Sequence, residues 1–381
     1  MAPVSNYNHL NSSIIFSANT SWYLFNFRQN TLKSFIDDGY KVFCFCPKDD
    51  YTKQLQEIGC IWIPLDMDNQ GFNPFKDIKL FFSFIMTYIK IKPLAAFHFT
   101  IKNNIYGTMA SFLLKIPSIN NISGLGTAFI HKSLKHKIAR ILYQLALPLS
   151  FKVFCQNTDD FNFILNNNFV SESRLELLPG SGVDLERFKY KIEDSNKDSP
   201  FVFIYSGRFL YDKGLNELIT AFNQLDQSHK KSELWLIGFQ DSKNISAIHY
   251  STIKQWSLMQ NISILEPSNK IENILGQAHC FVLPSYREGM PRSILEACAM
   301  QLPIICTDVP GCREIVTNEL NGFLCQPKDS HSLMLAMKRM MDLSRIQRSN
   351  MGKNGREIVK KSFSERVVIA KTKNAFHAIK K

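Results

Sequence analysis

Residues 280 to 308 read CFVLPSYREGMPRSILEACAMQLPIICTD. Cys280 to Ser285 is an almost unbroken apolar run, which suits a strand covered on both faces. YREGMP forms the turn, and Pro291 fits the first position of a helix because its missing N–H is one that a helix start leaves unpaired. The spacing predicts a helix from about Arg292 to Met300, and PIICTD supplies the next strand. Strand, crossover helix and strand is the unit from which parallel sheets are built.

The same alternation runs outward in both directions. After this segment comes NGFLCQPKD, and the chain closes on an amphipathic helix, SERVVIAKTKNAFHAIKK. Before it lie FVFIYSGR, the helix LNELITAFNQL, ELWLIG and ISIL. The first half repeats the rhythm with SIIFSA, a helix ending at Gly39, YKVFCFCP, CIWIPL, LAAFHFT, SINNIS and FKVFCQ. A polar, charged run at 191–200, KIEDSNKDSP, interrupts it and reads as a linker. The expected fold is therefore α/β, with two Rossmann-like doubly wound domains facing a cleft and ligands at the carboxyl ends of the strands. We place the domains at 1–185 and 186–364, with the helix 365–381 able to pack back on the first.

At 381 residues the chain exceeds what one core usually supports. Its nine cysteines are odd in number and sit mostly inside apolar runs, which suits buried free thiols in a reducing cytoplasm. No secretory leader is visible in MAPVSNYNHLNS, and LFFSFIMTYI (80–89) is half the length of a membrane span. The net charge of +12 is unevenly spread, because residues 78–158 contain no Asp or Glu. Within that stretch HKSLKHKIARILYQLALPL (131–149) mixes basic and apolar residues at near-helical spacing, which suits a helix lying on an anionic membrane surface. Lysines on the solvent faces of ordinary helices explain the same pattern.

Two segments carry candidate chemistry. In SGRFLYDKG (206–214) a strand runs into Gly207 and Arg208, and Lys213 and Gly214 precede a helix. Fixed cations at a strand's carboxyl end, beside glycines that let the backbone approach, suit a diphosphate. A surface loop with solvated basic residues has the same sequence. In the opening stretch, the first turn of the helix suits a phosphate. Glu288 and Glu296 flank that turn, and carboxylates there accept hydrogen bonds from sugar hydroxyls. The spacing alone equally allows Glu288 to complement the helix dipole and Glu296 to face solvent.

The series SGRFLYDKG, LPSYREGMPRSILEACAMQLPII and TDVPGCREIVTNELNGFLCQPKD resembles the GT-B glycosyltransferases of family 4, retaining enzymes that use nucleotide sugars. Glu288 and Glu296 match that family's paired glutamates, with seven residues between them. In the first half, NTSWYLFNFRQNTLKSFIDDGYKV, AFHFTIKNNIYGTMASF, NISGLGTAF, CQNTDD and GSGVDLERF are similar to the subgroup that extends lipid-linked saccharides for bacterial O-antigen (lipopolysaccharide), capsule or protein glycosylation. Those enzymes often use UDP-N-acetylhexosamines.

The resemblance implies that Glu296 holds the ribose hydroxyls, Glu288 contacts the donor sugar, and Arg208 and Lys213 bind the diphosphate beside Gly207. Backbone at Gly289, Met290, Pro291, Arg292 and Ser293 would assist with the phosphates, and the base would lie near LEPSNK (265–270). The implied donor is a UDP-sugar, with no metal or other cofactor. The implied acceptor is a polyprenyl-diphosphate-linked saccharide, met at the cytoplasmic face by a protein resting peripherally on the inner membrane. The sequence departs from the family where a paired-glycine loop and a histidine are usual, reading SANTSWYLFNFR and ISGLG. Arg28, His98, Lys102, Gly124 and Gly126 are the candidates for sugar or acceptor contacts there. His98 fits a structural histidine as well as a functional one, and Asn157 with Asp159 and Asp160 fits a helix start better than a site.

LDMDNQ (65–70) superficially resembles a metal-binding aspartate motif, but its setting between Rossmann-like elements is wrong for one. A sugar-nucleotide epimerase of the same architecture is the alternative enzyme. A nicotinamide-dependent oxidoreductase would need Gly-x-Gly-x-x-Gly after a strand, which the chain lacks. Nucleic-acid binding would explain the charge and leave the ordered carboxylates and cations unexplained.

Overall fold

A computed structural model describes residues 12–68, 73–125, 134–189, 199–225, 231–241, 244 and 246–379. The chain divides into two units, Met1–Ser181 with Glu365–Lys381, and Gly182–Ser364. The change of unit comes a few residues before the expected 185 because Val183 already belongs to the second unit. Its N–H donates to the Phe363 carbonyl at 3.0 Å, and its side chain, with that of Phe188, joins the second core. Residues 191–198 of the expected linker lie outside the described residues.

The first unit contains β1 (Ser13–Ser17), β2 (Lys41–Cys46), β3 (Ile61–Pro64), β4 (Ala95–Phe99), β5 (Ser118–Ile122), β6 (Lys152–Cys155) and β7 (Leu175–Leu177). They form one sheet in the order β3-β2-β1-β4-β5-β6-β7, with every pairing parallel. Sequence reading missed β7, three residues with one buried side chain. β4, β5 and most of β1 are buried on both faces, which is why they read as apolar or compactly polar runs. Phe16 on β1 stacks on Phe97 of β4 at 4.5 Å, and Phe35 of the helix Ser21–Asp37 packs against both. The helix Glu365–Ala378 docks there as well: Phe376 meets Phe35 edge-on at 5.4 Å, and Lys373 pairs with Asp38 at 2.8 Å.

The second unit contains β8 (Phe201–Ser206), β9 (Ser232–Ile237), β10 (Ile262–Leu265), β11 (Cys280–Leu283), β12 (Ile304–Thr307) and β13 (Gly322–Cys325). Its order is β10-β9-β8-β11-β12-β13, again all parallel. Strand order reverses between β1 and β4 in the first sheet and between β8 and β11 in the second. Loops leaving neighbouring strands at such a point diverge to opposite faces and open a crevice at the carboxyl edge.

All nine cysteines are buried and free. No helix among the described residues is long and apolar enough to cross a membrane.

Candidate active site at the carboxyl edge of the second sheet

The helix expected after the Gly-Met-Pro turn spans Arg292–Ala299. Pro291 precedes it in an extended conformation (φ −73°, ψ 105°), one residue earlier than the position assigned from sequence. Ile294, Leu295, Ala297, Cys298 and Ala299 are buried. This burial fixes the helix's rotation and leaves Arg292, Ser293 and Glu296 on its half-buried side.

The turn before that helix is held from both neighbouring strands. On the β8 side, the Tyr286 N–H donates to the Asp212 carbonyl at 2.9 Å, and Lys213 Nζ donates to Glu288 Oε1 at 2.5 Å. On the β12 side, the Glu288 N–H donates to the Pro310 carbonyl at 3.3 Å, and the Thr307 hydroxyl donates to the Ser285 carbonyl. Ser285 in turn donates from Oγ to Glu288 Oε1 at 2.6 Å. Glu288 is thus fixed by a cation, a hydroxyl and its own backbone.

Two glycines permit these approaches. Gly214 has φ +69°, and a Cβ there would lie 2.1 Å from the Pro284 carbonyl oxygen. Gly311 has φ +82°, and a Cβ there would lie 2.6 Å from the Gly289 carbonyl oxygen. Both conformations suit glycine best, and both close approaches exclude a side chain.

Glu296 accepts from Arg292 Nε at 2.9 Å, one helical turn back, with side-chain exposures of 16% and 18%. Burial pushes its carboxyl pKa up, against the opposing pull of Arg292 and Arg187. Glu296 is therefore no solvated helix residue. Arg187 pairs with Glu272 at 2.9 Å and donates to the Asn269 carbonyl at 2.7 Å, so its charge ties the 265–270 segment to the surroundings of Glu296.

Arg208 follows β8 as expected, but its guanidinium is half exposed and pairs with Asp241 after β9 at 3.1 Å. Only Lys213 of the two cations bonds to Glu288. Asp241 and Ser285 were missed by sequence reading, as were Thr307 and the Tyr286 hydroxyl, which donates to Glu217 at 2.7 Å. The adjacency of β9, β8, β11 and β12 brings these residues together, and strand order is the signal that would have found them.

The candidates in the first unit are mostly internal. His98 on β4 is fully buried, bonds Ser17 Oγ at 2.8 Å and stacks on Tyr88; burial pushes its pKa down to about 3. A Cβ at Gly107 would lie 2.5 Å from the His98 ring, so these contacts support the structural of its two readings. Arg28 is 2% exposed, donates to the Gly180 carbonyl at 3.2 Å and lies over the Phe99 ring. Lys102 is bound to Asp77 at 2.7 Å with both side chains largely covered. Gly124 follows β5 with φ +118° and is half-buried. Gly126 lies outside the described residues. Asn157 caps the helix Thr158–Asn166 by accepting from the Asp160 N–H, as expected of a helix start.

Asp66 and Asp68 pair with Lys79 and Lys76 at 2.8 and 3.1 Å. A cavity of about 910 Å³ lies at the amino ends of β5 and β6, lined by Phe112, Lys115, Phe151, Lys152 and Arg174 among others. It is at the wrong edge of the sheet for ligand chemistry, and Lys152 and Arg174 there are bound to Glu176 and to backbone carbonyls.

Comparison with known proteins bears on this site. Residues 186–358 match the family model of glycosyl transferases group 1, and residues 13–157 match that of glycosyl transferase 4-like proteins. The chain is 26% identical over 359 residues to the N,N'-diacetylbacillosaminyl-diphospho-undecaprenol alpha-1,3-N-acetylgalactosaminyltransferase of Campylobacter jejuni, covering 87% of this chain and 89% of that one. It is 27% identical over 254 residues to the UDP-Gal:alpha-D-GlcNAc-diphosphoundecaprenol alpha-1,3-galactosyltransferase of Escherichia coli, covering 63% and 64% of the two chains. Among solved structures, Anabaena HepE in complex with UDP and glucose superposes with a TM-score of 0.78 at 16% identity, covering 96% of this chain and all of that one. That last likeness concerns the fold.

Proposed function

Since the chain belongs to the GT-B glycosyltransferases, matching group 1 in its second half and the 4-like group in its first, we propose that it moves a sugar, an N-acetylhexosamine by preference, from a UDP-sugar to a lipid-linked saccharide in bacterial surface polysaccharide synthesis. The observation that carries this reading is the Lys213–Glu288 pair, held between the loops leaving β8 and β11.

A donor diphosphate would compete for the Lys213 ammonium and release Glu288 to accept hydrogen bonds from the sugar. Arg208 would leave Asp241 for the same diphosphate, with backbone from Gly207 and from Gly289 to Ser293 alongside. Glu296 would accept from the ribose hydroxyls, with the base against 265–270. As the anomeric C–O bond breaks, negative charge grows on the diphosphate, where Lys213, Arg208 and the N-terminus of the helix Arg292–Ala299 are placed to stabilise it. These groups neutralise the leaving group from side chains and backbone, so the reaction needs no metal. The acceptor hydroxyl attacks the anomeric carbon from the face the diphosphate leaves, its proton passes to a leaving phosphate oxygen, and configuration is retained.

The acceptor class rests on the C. jejuni and E. coli relatives, both named for undecaprenyl diphosphate saccharides. With such an acceptor the enzyme would work at a membrane surface, in this reading the cytoplasmic face. The epimerase alternative draws no support from these relatives, both of which are named as transferases. The test is incubation with a panel of labelled UDP-sugars and a short-chain prenyl-diphosphate saccharide. Label in an extended acceptor supports the proposal; label in a new free UDP-sugar without acceptor, or no turnover with any donor, refutes it.

A further inference from the structure

The helix Pro74–Ile91 has two apolar faces. Inward it buries Leu80, Phe84 and Tyr88. Outward, Phe75, Ile78, Phe82, Met86 and Ile89 are 85, 54, 58, 66 and 50% exposed. At about 100° per residue these five fall in a sector of roughly 80°, nearly opposite the buried face. Large side chains this exposed are ordinary when scattered, and a continuous stripe of them marks a surface that something covers.

Charge indicates what covers it. Exposed Lys90 borders one side of the stripe and exposed Lys92 follows the helix; Lys79, on the same side, is paired with Asp66. No carboxylate occurs from 78 to 158; Asp66 and Asp68 are taken up by Lys79 and Lys76. The helix Thr108–Leu113 packs alongside and ends in Phe112 and Leu113, 56 and 62% exposed, followed by exposed Lys115. Aromatic and aliphatic side chains bordered by lysines match an anionic bilayer, with stems in the acyl boundary and ammonium groups at the headgroups. Two copies of this face would bring like charges together.

We propose that the stripe on Pro74–Ile91 is the surface by which this protein rests on an anionic membrane. The inference builds on the reading that the acceptor is lipid-linked, and it moves the contact away from the 131–149 segment favoured by sequence. The helix Leu134–Ala146 exposes Ile141 and Leu145, and so provides the comparison.

The test is flotation of the full chain with phosphatidylglycerol-rich vesicles and with phosphatidylcholine vesicles. Wild type should float with the first only. Phe82→Glu with Met86→Glu should cut the bound fraction at least ten-fold, Phe82→Ser with Met86→Ser should cut it in the same direction, and Ile141→Glu with Leu145→Glu should stay within two-fold. All variants should transfer normally to a water-soluble short-chain acceptor without vesicles, so absence of transfer counts against the function and absence of flotation against the surface. Equal flotation of the glutamate pair and wild type would overturn the inference. So would a wild type that ignores vesicles and instead forms a dimer that the glutamate pair dissolves.

Discussion

Lys213 Nζ lies 2.5 Å from Glu288 Oε1, and the two residues reach each other from loops that leave adjacent parallel strands. The pair is mostly covered, at 18% and 12% side-chain exposure, so each charge depends on the other. Replacing Lys213 or Glu288 by alanine should lower the transfer rate by about 10²–10³-fold, the loss typical of removing one group aimed at developing charge. Because they act as a unit, the double variant should be little worse than either single one. Steady-state rates for the four proteins check this, and simple multiplication of the two losses would contradict it.

Gly214→Ala probes how that pair is built. The substitution places a Cβ 2.1 Å from the Pro284 carbonyl oxygen in a left-handed conformation. The left-handed backbone alone costs about 1–3 kcal/mol, and the clash with a backbone oxygen adds to it, so the substitution should weaken the second unit clearly and push Lys213 away from Glu288. The expected signature is a lower urea midpoint for the second unit together with lost transfer under conditions where the variant is still folded.

Glu296→Gln addresses the nucleotide end. Hydrogen bonds to a charged acceptor contribute about 1.5–3 kcal/mol, so UDP affinity measured by calorimetry should fall by roughly ten-fold or more. Burial raises the Glu296 pKa, so protonation should weaken wild-type UDP binding at a higher pH than an ordinary glutamate would. The glutamine variant should lose that pH dependence.

Much of this was legible in the sequence, and the particular failures share a cause. The apolar run before Ser285, the Pro291 helix start and the cations after β8 are local patterns, and the structure holds them within a residue or so of their expected places. Arg208–Asp241, Ser285–Glu288 and Thr307–Ser285 join different loops or depend on how one loop folds back, which periodicity does not encode. His98 was ambiguous because a histidine ending a strand reads alike whether it points into a cleft or, as here, against Tyr88 and Gly107. In the sequence, LFFSFIMTYI reads only as too short to span a bilayer. Its second apolar face emerged once the buried face was known.

His98 also yields a stability prediction for the first unit. Its pKa falls from 6.5 to about 3 on burial, so the unfolded chain binds a proton between those values that the folded chain does not. Stability should therefore be full above pH 6.5 and decline as pH falls toward 3, by about 1.4 kcal/mol per pH unit from this group. Between pH 7.5 and 5, wild type should lose about 2 kcal/mol more than His98→Asn, measured by denaturant unfolding of the first unit. Equal pH dependence in the two proteins would place the imidazole in a solvated setting.

Sugar transfer from a nucleotide to a lipid-linked acceptor at the Lys213–Glu288 site can be followed in a time course with the preferred labelled UDP-sugar and a prenyl-diphosphate saccharide, run with wild type and Glu288→Gln in the presence of EDTA. Wild type should extend the acceptor by one retained sugar unaffected by the chelator, while the variant still binds UDP but transfers at most about 1% as fast. Undiminished transfer by the variant, or label appearing only as a free isomerised UDP-sugar, would exclude transfer at this site.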